Sequence, residues 1–249
     1  MDFLTLIRME NHPRAGRTFE AHVHCQSCSI RKLCFPFSLG DDEIVRLDNI
    51  IKRNRPLQRH EHLFRAGDRM QHVYALRSGS LKCYLLNADG SEQITGFYLP
   101  GELIGLDGFG TGTYPTCAAA LETTLVCAVS LTQLEELAGT IPHLRKHLLR
   151  ALSREIHDEQ EHFTHNRETA EQRLAAFLLN LSARYARRGL SATDFILPMS
   201  RGEIGNYLSL TTETISRLFT RYRQQGLLNI DGREIHLLNP AALCHLGVA

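Results

Sequence analysis

Residues 200–226 have the sequence SRGEIGNYLSLTTETISRLFTRYRQQG, and this stretch decides the architecture of the C-terminal part of the chain. Ser200 and Glu203 have the spacing of a capping box, in which each side chain accepts from the other residue's backbone N–H, so a helix is predicted to begin here. A short turn at residues 209–211 leads to a second predicted helix at residues 212–225, which a glycine ends. Two short helices joined by a tight turn predict a helix-turn-helix, whose second helix enters the major groove of DNA.

The second predicted helix has two distinct faces. The residues expected to face a protein core are Ile215, Leu218, Phe219 and Tyr222. On the opposite face, Arg217 can donate to O6 and N7 of guanine, Glu213 can accept from N4 of cytosine, and Ser216 can contact either kind of base edge. Arg221 and Arg223 are expected to meet phosphate. The alternative is a charged helix face that is merely solvated.

Charge is divided unevenly along the chain. Residues 171–249 contain nine Arg, no Lys and six Asp plus Glu, a net charge of +3, whereas residues 1–170 contain 19 basic and 21 acidic groups, a net charge of −2. A basic region joined to a neutral or acidic body is typical of a sensor coupled to a DNA reader. The Asp231-Gly232 turn between two isoleucines adds a predicted hairpin, which would be the wing of a winged helix-turn-helix.

Turn signals recur at 11-residue intervals in the region from residue 60 to about residue 130. They are Gly67-Asp68, Ser78-Gly79, Asp89-Gly90 and Pro100-Gly101. This interval predicts short antiparallel strands, and a jelly-roll-like β-barrel is the expected product.

A second glycine cluster, from Gly101 to Gly112, resembles the phosphate cassette of cyclic-nucleotide-binding domains. That family grips the cyclic phosphate with an Arg-Ser pair, but Tyr114-Pro115 stands at those positions here, and no Arg or Lys occurs between Cys83 and Arg145. A buried phosphodiester without a cationic partner would be poorly compensated. We therefore expect a barrel of this shape that does not bind a cyclic nucleotide.

The chain from Pro142 to about Asn166 predicts one long helix. Positions with the 3-4 spacing of a coiled-coil seam are Leu149, Leu152, Ile156, Glu159 and Phe163. The alternative for this pattern is a single amphipathic helix packed on its own barrel. In a parallel homodimer, two Glu159 carboxylates about 6 Å apart would repel by about 3 kcal/mol at an effective dielectric near 20. That repulsion lowers the association constant by roughly a hundredfold or more, so we expect dimerisation to depend on the state of a sensor.

Three cysteines near the N-terminus, Cys25, Cys28 and Cys34, have the spacing C-x2-C-x5-C. Four others are scattered through the chain: Cys83, Cys117, Cys127 and Cys244. An odd number of cysteines in a cytosolic chain favours metal ligation or redox chemistry over disulfides. The spacing alone leaves open an iron–sulfur cluster, a zinc site completed by His22 and His24, or redox-active thiols. A lone scattered cysteine is more often a small buried apolar residue.

The bulk composition, 43% hydrophobic and 22% charged over 249 residues, is typical of a globular protein of one or two domains. No apolar run approaches the roughly 20 residues that span a bilayer. Residues 1–9 lack the small-residue cleavage site of a secretory signal. We therefore expect a cytoplasmic protein with no membrane partner.

These features together resemble the FNR (fumarate and nitrate reduction) group of the cyclic-AMP-receptor-protein superfamily, a group of oxygen-sensing transcription factors. The segments that carry the resemblance are His24–Ser29, Glu92–Phe97, Leu121–Thr123, Arg173–Phe177, Ile204–Leu208 and Glu213–Arg217. The resemblance implies an α+β fold with a cyclic-nucleotide-binding-like jelly-roll β-barrel, a long dimerisation helix and a C-terminal winged helix-turn-helix. The expected segments are residues 1–35 for cluster binding, 36–140 for the barrel, 141–168 for the dimerisation helix and 169–249 for DNA binding.

The resemblance also implies the functional residues. The implied ligands of one [4Fe-4S] cluster are Cys25, Cys28, Cys34 and Cys127, and not the nearby Cys117. Ser29 and Leu33 match positions that tune the reaction of the cluster with oxygen. The residues that match the base-reading positions are Glu213, Ser216 and Arg217, which implies a palindromic DNA site with TTGAT-like half-sites. The Asp89-Gly90 turn matches a surface that touches RNA polymerase.

The expected function is that of an oxygen-responsive, sequence-specific transcription regulator and not of an enzyme. Without oxygen, the intact cluster is expected to promote dimerisation and binding to double-stranded DNA, and its loss in oxygen to reverse both. Alternatives from other classes are an iron–sulfur electron carrier, which would need no helix-turn-helix, and an enzyme, for which the sequence suggests no nucleophile–base pair. The nearest alternative is a related regulator that senses through zinc, thiol oxidation or a small effector in the barrel.

Overall fold

Two antiparallel four-stranded sheets form the first folded unit of the chain. The computed structural model describes residues 24–34, 39–164 and 168–247. The strands are β1 (Ile51–Arg53), β2 (His62–Phe64), β3 (His72–Ser78), β4 (Leu81–Leu86), β5 (Glu92–Tyr98), β6 (Leu103–Ile104), β7 (Cys117–Ala120) and β8 (Leu125–Ser130). One sheet has the strand order β1-β8-β3-β6 and the other β2-β7-β4-β5. This is the double-sheet form of a jelly roll.

The turns predicted at 11-residue intervals depend on the conformational freedom of glycine. Gly67, Gly79, Gly90 and Gly101 all have a positive φ, between 81° and 91°, which other residues rarely adopt. A Cβ atom at Gly79 would also lie 2.4 Å from Thr124 Oγ1. The hairpin between β3 and β4 therefore has no room for a side chain at this position.

Aromatic side chains fill the barrel beside the glycine-rich segment. The rings of Phe64 and Tyr114 stack with their centroids 3.9 Å apart, and the Tyr74 ring lies 6.4 Å from that of Tyr114. The Tyr114 hydroxyl donates to the His72 carbonyl oxygen at 2.7 Å. Tyr114, which we expected at the position of the family's phosphate-binding arginine, is thus a buried packing residue.

Three helices surround the sheets: α1 (Asp41–Asp48), α2 (Leu131–Thr140) and α3 (Pro142–Thr164). The predicted long helix corresponds to α3, and the residues at which we expected it to end, 165 and 166, lie outside the described part of the chain. One side of α3 packs on the barrel core through Leu148, Ala151 and Leu152. The Tyr98 hydroxyl donates to Glu155 Oε1 at 2.5 Å and so ties α3 to β5.

The C-terminal unit is a winged helix-turn-helix. Its elements are α4 (Ala170–Arg187), β9 (Asp194–Ile196), α5 (Arg201–Tyr207), α6 (Thr212–Gln224), β10 (Leu228–Asp231), β11 (Glu234–Leu237) and α7 (Pro240–Gly247). The capping box predicted at Ser200 and Glu203 is present, with both reciprocal bonds made, and the wing strands pair in the order β10-β11-β9. The predicted α+β fold is confirmed. Among the described helices, none is both long and apolar enough to cross a membrane.

The C-terminal unit packs on the outer face of the β2-β7-β4-β5 sheet, where β5 is an edge strand. Asn206 of α5 binds the exposed backbone of that edge: its Oδ1 accepts from Ile94 N–H at 2.6 Å and its Nδ2 donates to the Glu92 carbonyl at 2.7 Å. Beside it, Lys82 Nζ lies 2.6 Å from Glu92 and 3.5 Å from Glu203. The winged helix-turn-helix unit is therefore docked on the barrel of its own chain.

Candidate cysteine centre and nucleic-acid interface

Three cysteines of the N-terminal segment meet Cys127 at one small cavity. Cys25 begins a 3-10 helix, and the turns that follow place Cys28 and Cys34 beside the barrel. Cys127 comes from the middle of β8, which pairs with both β1 and β3. The rest of the cavity is lined by Ile30, Arg31, Ile51 and Ala75. Two segments that are distant in the sequence thus bring four sulfur atoms to one place.

The remaining cysteines lie elsewhere. Cys117 is buried on β7, in the opposite sheet, and its sulfur accepts from the backbone N–H of Ala66 at 3.3 Å. Cys83 is buried on β4, and Cys244 is exposed on α7. None of these three is among the residues that line the cavity.

Asp48, the last residue of α1, holds the start of the cysteine segment. Its carboxylate binds His24 Nδ1 at 2.7 Å, accepts from the backbone N–H of Cys25 at 3.0 Å, and pairs with Arg53 of β1. Although partial burial acts to raise it, these hydrogen bonds lower the pKa of Asp48 to about 2, so the carboxylate is charged at neutral pH. This residue could not be identified from the sequence, because a lone aspartate at a helix end carries no motif.

Burial favours the protonated form of two thiols at the cavity, those of Cys25 and Cys127. It is the largest cause that raises the pKa of Cys25, and the neighbouring Asp48 raises that pKa further. Burial also raises the pKa of Cys127, against the lowering effect of Arg53. Both thiols are therefore protonated at neutral pH when no metal is bound. Because metals bind thiolates, loading the site must release protons.

The donor set at the cavity fits an iron–sulfur cluster. A [4Fe-4S] cluster takes one thiolate per iron, and four cysteines surround this cavity on an otherwise mostly apolar lining. A zinc ion instead needs its ligands to converge on one point. No group of three His, Cys, Asp or Glu side chains in the described ranges has that arrangement. Of the histidines considered for zinc, His24 binds Asp48, and His22 lies outside the described residues.

The two positions expected to tune oxygen reactivity have different surroundings. Ser29 is exposed, whereas Leu33 is half-buried. Leu33 packs against the turn that follows β5, where a Cβ atom on Gly101 would lie 2.7 Å from its own Cβ. This contact connects the cysteine segment to the barrel away from the cavity.

The recognition helix α6 has the two faces that the sequence predicts. Its buried residues are Ile215, Leu218, Phe219 and Tyr222. On the other face, Arg217 and Glu213 form an i,i+4 ion pair whose side chains are 77% and 72% exposed. The Ser216 hydroxyl donates to the Thr212 carbonyl at 2.9 Å. An exposed arginine that is oriented by a glutamate one turn away is well suited to bidentate contact with a guanine.

The exposed face of α3 is apolar in part. Leu149 is 61% and Ile156 is 57% exposed, although such side chains are usually buried in globular proteins. Leu152 packs partly on the barrel, and Glu159 is exposed. The side chain of Phe163, the last predicted seam residue, lies outside the described part. The two exposed residues are seven positions apart and therefore share one face of the helix.

Comparison with known proteins agrees with this architecture. Residues 54–140 match the cyclic nucleotide-binding domain family, and residues 172–246 match the Crp-like helix-turn-helix domain family. The chain is 51% identical to the transcriptional activator protein Anr of Pseudomonas protegens, over 90% of this chain and 92% of that protein. It is 48% identical to the fumarate and nitrate reduction regulatory protein of Escherichia coli, over 90% of both chains. The structure of FixK2 from Bradyrhizobium japonicum is similar with a TM-score of 0.73 and 32% identity, and covers 80% of this chain and 98% of FixK2.

Proposed function

Since the chain belongs to the family of Anr and the fumarate and nitrate reduction regulators, we propose that it is a transcription activator that responds to oxygen through a [4Fe-4S] cluster. The relatives are named as transcription regulators, and DNA binding through the helix-turn-helix follows from the family. The proposed ligands are Cys25, Cys28, Cys34 and Cys127. The observation that carries the proposal is the meeting of these four cysteines at one cavity.

The cysteine segment is the part of the chain that would respond. A [4Fe-4S] cluster would supply a link between four thiolates that oxygen breaks. With the four thiolates joined in this way, Cys28 and Cys34 would be fixed to β8 through Cys127. Without the cluster the cysteines would be free thiols; the bonds to Asp48 would still hold Cys25 and His24, but the later part of the segment would lose its covalent tie. We propose that residues 1–35 form this responsive segment and residues 36–140 the barrel that supports it.

We assign dimerisation to residues 141–168, because the exposed Leu149 and Ile156 need an apolar partner. A second copy of α3 provides one, since a coiled-coil seam pairs such positions with their equivalents. In this arrangement the Glu159 carboxylates face each other. Their repulsion makes the dimer conditional on the cysteine segment, which adds contacts only when it is ordered against the barrel.

Replacing Glu159 with alanine should therefore produce dimers without the cluster. Removing about 3 kcal/mol of repulsion raises the association constant roughly a hundredfold. Sedimentation of the cluster-free protein at several concentrations would measure the change. Glu135→Ala on α2, which removes an equal charge from another exposed helix position, should leave the association constant as it is. A Glu159→Ala protein that stays as monomeric as the wild type would contradict the proposed role.

In the dimer, residues 169–249 of each copy would read one half of a palindromic site. Two recognition helices enter successive major grooves about one helical turn apart, and Glu213, Ser216 and Arg217 contact base edges in TTGAT-like half-sites. The exposed Asp89-Gly90 turn is our proposed contact with RNA polymerase. Asp89 accepts from the backbone and side chain of Ser91, which gives this turn a defined shape.

Iron and acid-labile sulfide measured on protein purified without air would test the proposal directly. We expect about four of each per chain, together with a visible absorption band that bleaches in air, and a fall in DNA affinity that follows the bleaching. Zinc without sulfide would instead support a regulator that senses through zinc or thiol oxidation. In that case the DNA-binding assignment stands and the oxygen-sensing mechanism is wrong.

A further inference from the structure

The cysteine segment touches the barrel at the turn that leads into β6. Gly101 has a φ of +91°, and a Cβ atom there would lie 2.7 Å from the Cβ and 3.5 Å from the carbonyl carbon of Leu33. The two backbones are therefore in close contact, without an intervening side chain from position 101. This contact is made by the residue that directly precedes Cys34.

The next residue, Glu102, binds the DNA-reading unit. Its carboxylate accepts from Arg184 Nε at 3.0 Å, from Arg184 Nη2 at 2.6 Å and from Arg188 Nη2 at 2.7 Å. It also accepts from the backbone N–H of Leu99 at 2.8 Å, which holds it in the turn. Both arginines lie at the C-terminal end of α4 and are almost buried, with 15% and 8% of their side chains exposed.

The same two arginines also bind the backbone of the turn. Arg184 Nη2 donates to the Phe97 carbonyl at 2.5 Å, and Arg188 Nε donates to the Pro100 carbonyl at 2.7 Å. Although burial acts to raise it, the two guanidinium groups lower the pKa of Glu102 to about 2, so the carboxylate stays charged. Residues 97–102 are thus held by α4 through Arg184 and Arg188, and the cysteine segment contacts the same turn at Gly101.

We propose that Glu102 is a positioning residue that transmits the state of the cysteine segment to the DNA-reading unit of the same subunit. The route runs from Leu33 to the turn at Gly101 and from Glu102 to Arg184 and Arg188. When the segment is ordered, Leu33 holds the turn in the position that α4 requires. When the segment is released, the turn can move, and the orientation of α4 against the barrel is no longer fixed. This route rests on the proposed function, because it needs a cysteine segment that changes state, but it does not need a second subunit.

A purely structural role for the Glu102 contacts makes a different prediction. If the Glu102 contacts only hold the barrel and α4 together, these contacts should be equally rigid with and without the cluster. Coupling requires that cluster loss loosens both residues 97–102 and the end of α4. The backbone N–H of Gly101 donates to the Leu76 carbonyl at 2.7 Å and that of Gly189 to the Ala186 carbonyl at 2.9 Å. Amide hydrogen exchange at these two places therefore reports on the two ends of the route.

The test is hydrogen–deuterium exchange of the full-length protein before and after exposure to oxygen. It is done at one concentration low enough for the protein to be monomeric in both states, and at one high enough for it to be dimeric in both. In the wild type, we expect exchange at residues 97–102 and at the end of α4 to become about tenfold faster after cluster loss, at both concentrations. Leu33→Ala should give the faster exchange even before oxygen is added. Unchanged exchange at these sites, in a protein whose DNA binding still responds to oxygen, would overturn the proposal.

Variants of the ion pair complete the test. Glu102→Gln should keep its iron, sulfide and dimer fraction, yet bind DNA about tenfold more weakly, and its α4 end should no longer respond to oxygen. The matched control is Glu61→Gln, which makes the same change at a carboxylate paired with Arg55 on the barrel surface. If Glu102→Gln does not fold, Arg184→Lys keeps the charge but loses the paired N–H groups and should give the same result. If Glu102→Gln weakens DNA binding by the same factor with and without the cluster, the Glu102 contacts are purely structural and the proposal is wrong. A wild type without iron and sulfide would refute the proposed function and this route together, so the metal analysis distinguishes the two failures.

Discussion

Replacing Cys127 with serine is expected to abolish oxygen-dependent DNA binding in a protein that still folds. Of the four proposed ligands, only Cys127 lies in the barrel itself, on a strand paired on both sides. Without its thiolate, a cluster cannot tie the N-terminal segment to β8. If Glu159 opposes dimerisation as proposed, its repulsion is then not offset, and the affinity for a palindromic site should fall roughly a hundredfold at concentrations below the dimerisation constant. Iron and sulfide content, sedimentation and fluorescence anisotropy with labelled DNA, all without air, measure these effects.

The other cysteines of the chain are the controls for this experiment. Cys117→Ala extends the run of alanines on β7 and removes a buried thiol that does not line the cavity. Cys244→Ser changes an exposed thiol on α7. Both variants should keep the metal and the response to oxygen. If Cys127→Ser binds as much iron and sulfide as the wild type, or if Cys117→Ala loses them, our ligand assignment is wrong.

Replacing Arg217 with alanine should remove most of the sequence discrimination of the dimer. A bidentate arginine–guanine contact contributes about 1–3 kcal/mol of discrimination, and a palindrome contains it twice. The loss of about 2–6 kcal/mol corresponds to a roughly thirtyfold to twenty-thousandfold lower affinity for the specific site. Binding to unrelated DNA should change little, because it depends mainly on phosphate contacts. Titrations with a TTGAT palindrome and with a scrambled duplex at the same salt concentration separate the change in specific binding from the change in binding to unrelated DNA.

Arg223 provides the contrasting variant on the same helix. Its side chain is exposed near the end of α6, where phosphate is the expected partner. Arg223→Ala should weaken binding to both duplexes by a similar factor. It should also reduce the slope of log affinity against log salt concentration by the amount expected for about one phosphate contact per subunit. If Arg217→Ala weakens both duplexes equally as well, Arg217 contacts phosphate and does not read a base.

The predictions that succeeded depend on local chemistry. The capping box at Ser200 and Glu203 predicts the start of α5 because both partners lie within one helical turn. The regular turns of the barrel follow from glycines that alone adopt a positive φ easily. The two faces of α6 follow from the period of the helix. Each of these signals is complete within a few neighbouring residues.

The parts of the site that sequence spacing could not predict depend on residues far apart in the chain. Cys127 was assigned through family resemblance, since no spacing rule links it to Cys25. Asp48 and Glu102 were missed as functional candidates, because a single carboxylate has no pattern until its partners are known. For Glu102 those partners are two arginines of α4, which lie more than 80 residues further along the chain.

The amide of Asn206 has a consequence for the behaviour of the protein in solution. An edge strand with free backbone groups is a template for pairing with another chain, and β5 is such an edge. Asn206 occupies the N–H of Ile94 and the carbonyl of Glu92, so the DNA-reading unit also shields the barrel from β-sheet association. A barrel separated from that unit would present the bare edge together with the apolar patch of Tyr84, Ile94 and Phe97. Removing the winged helix-turn-helix unit should therefore make the barrel prone to association through β5.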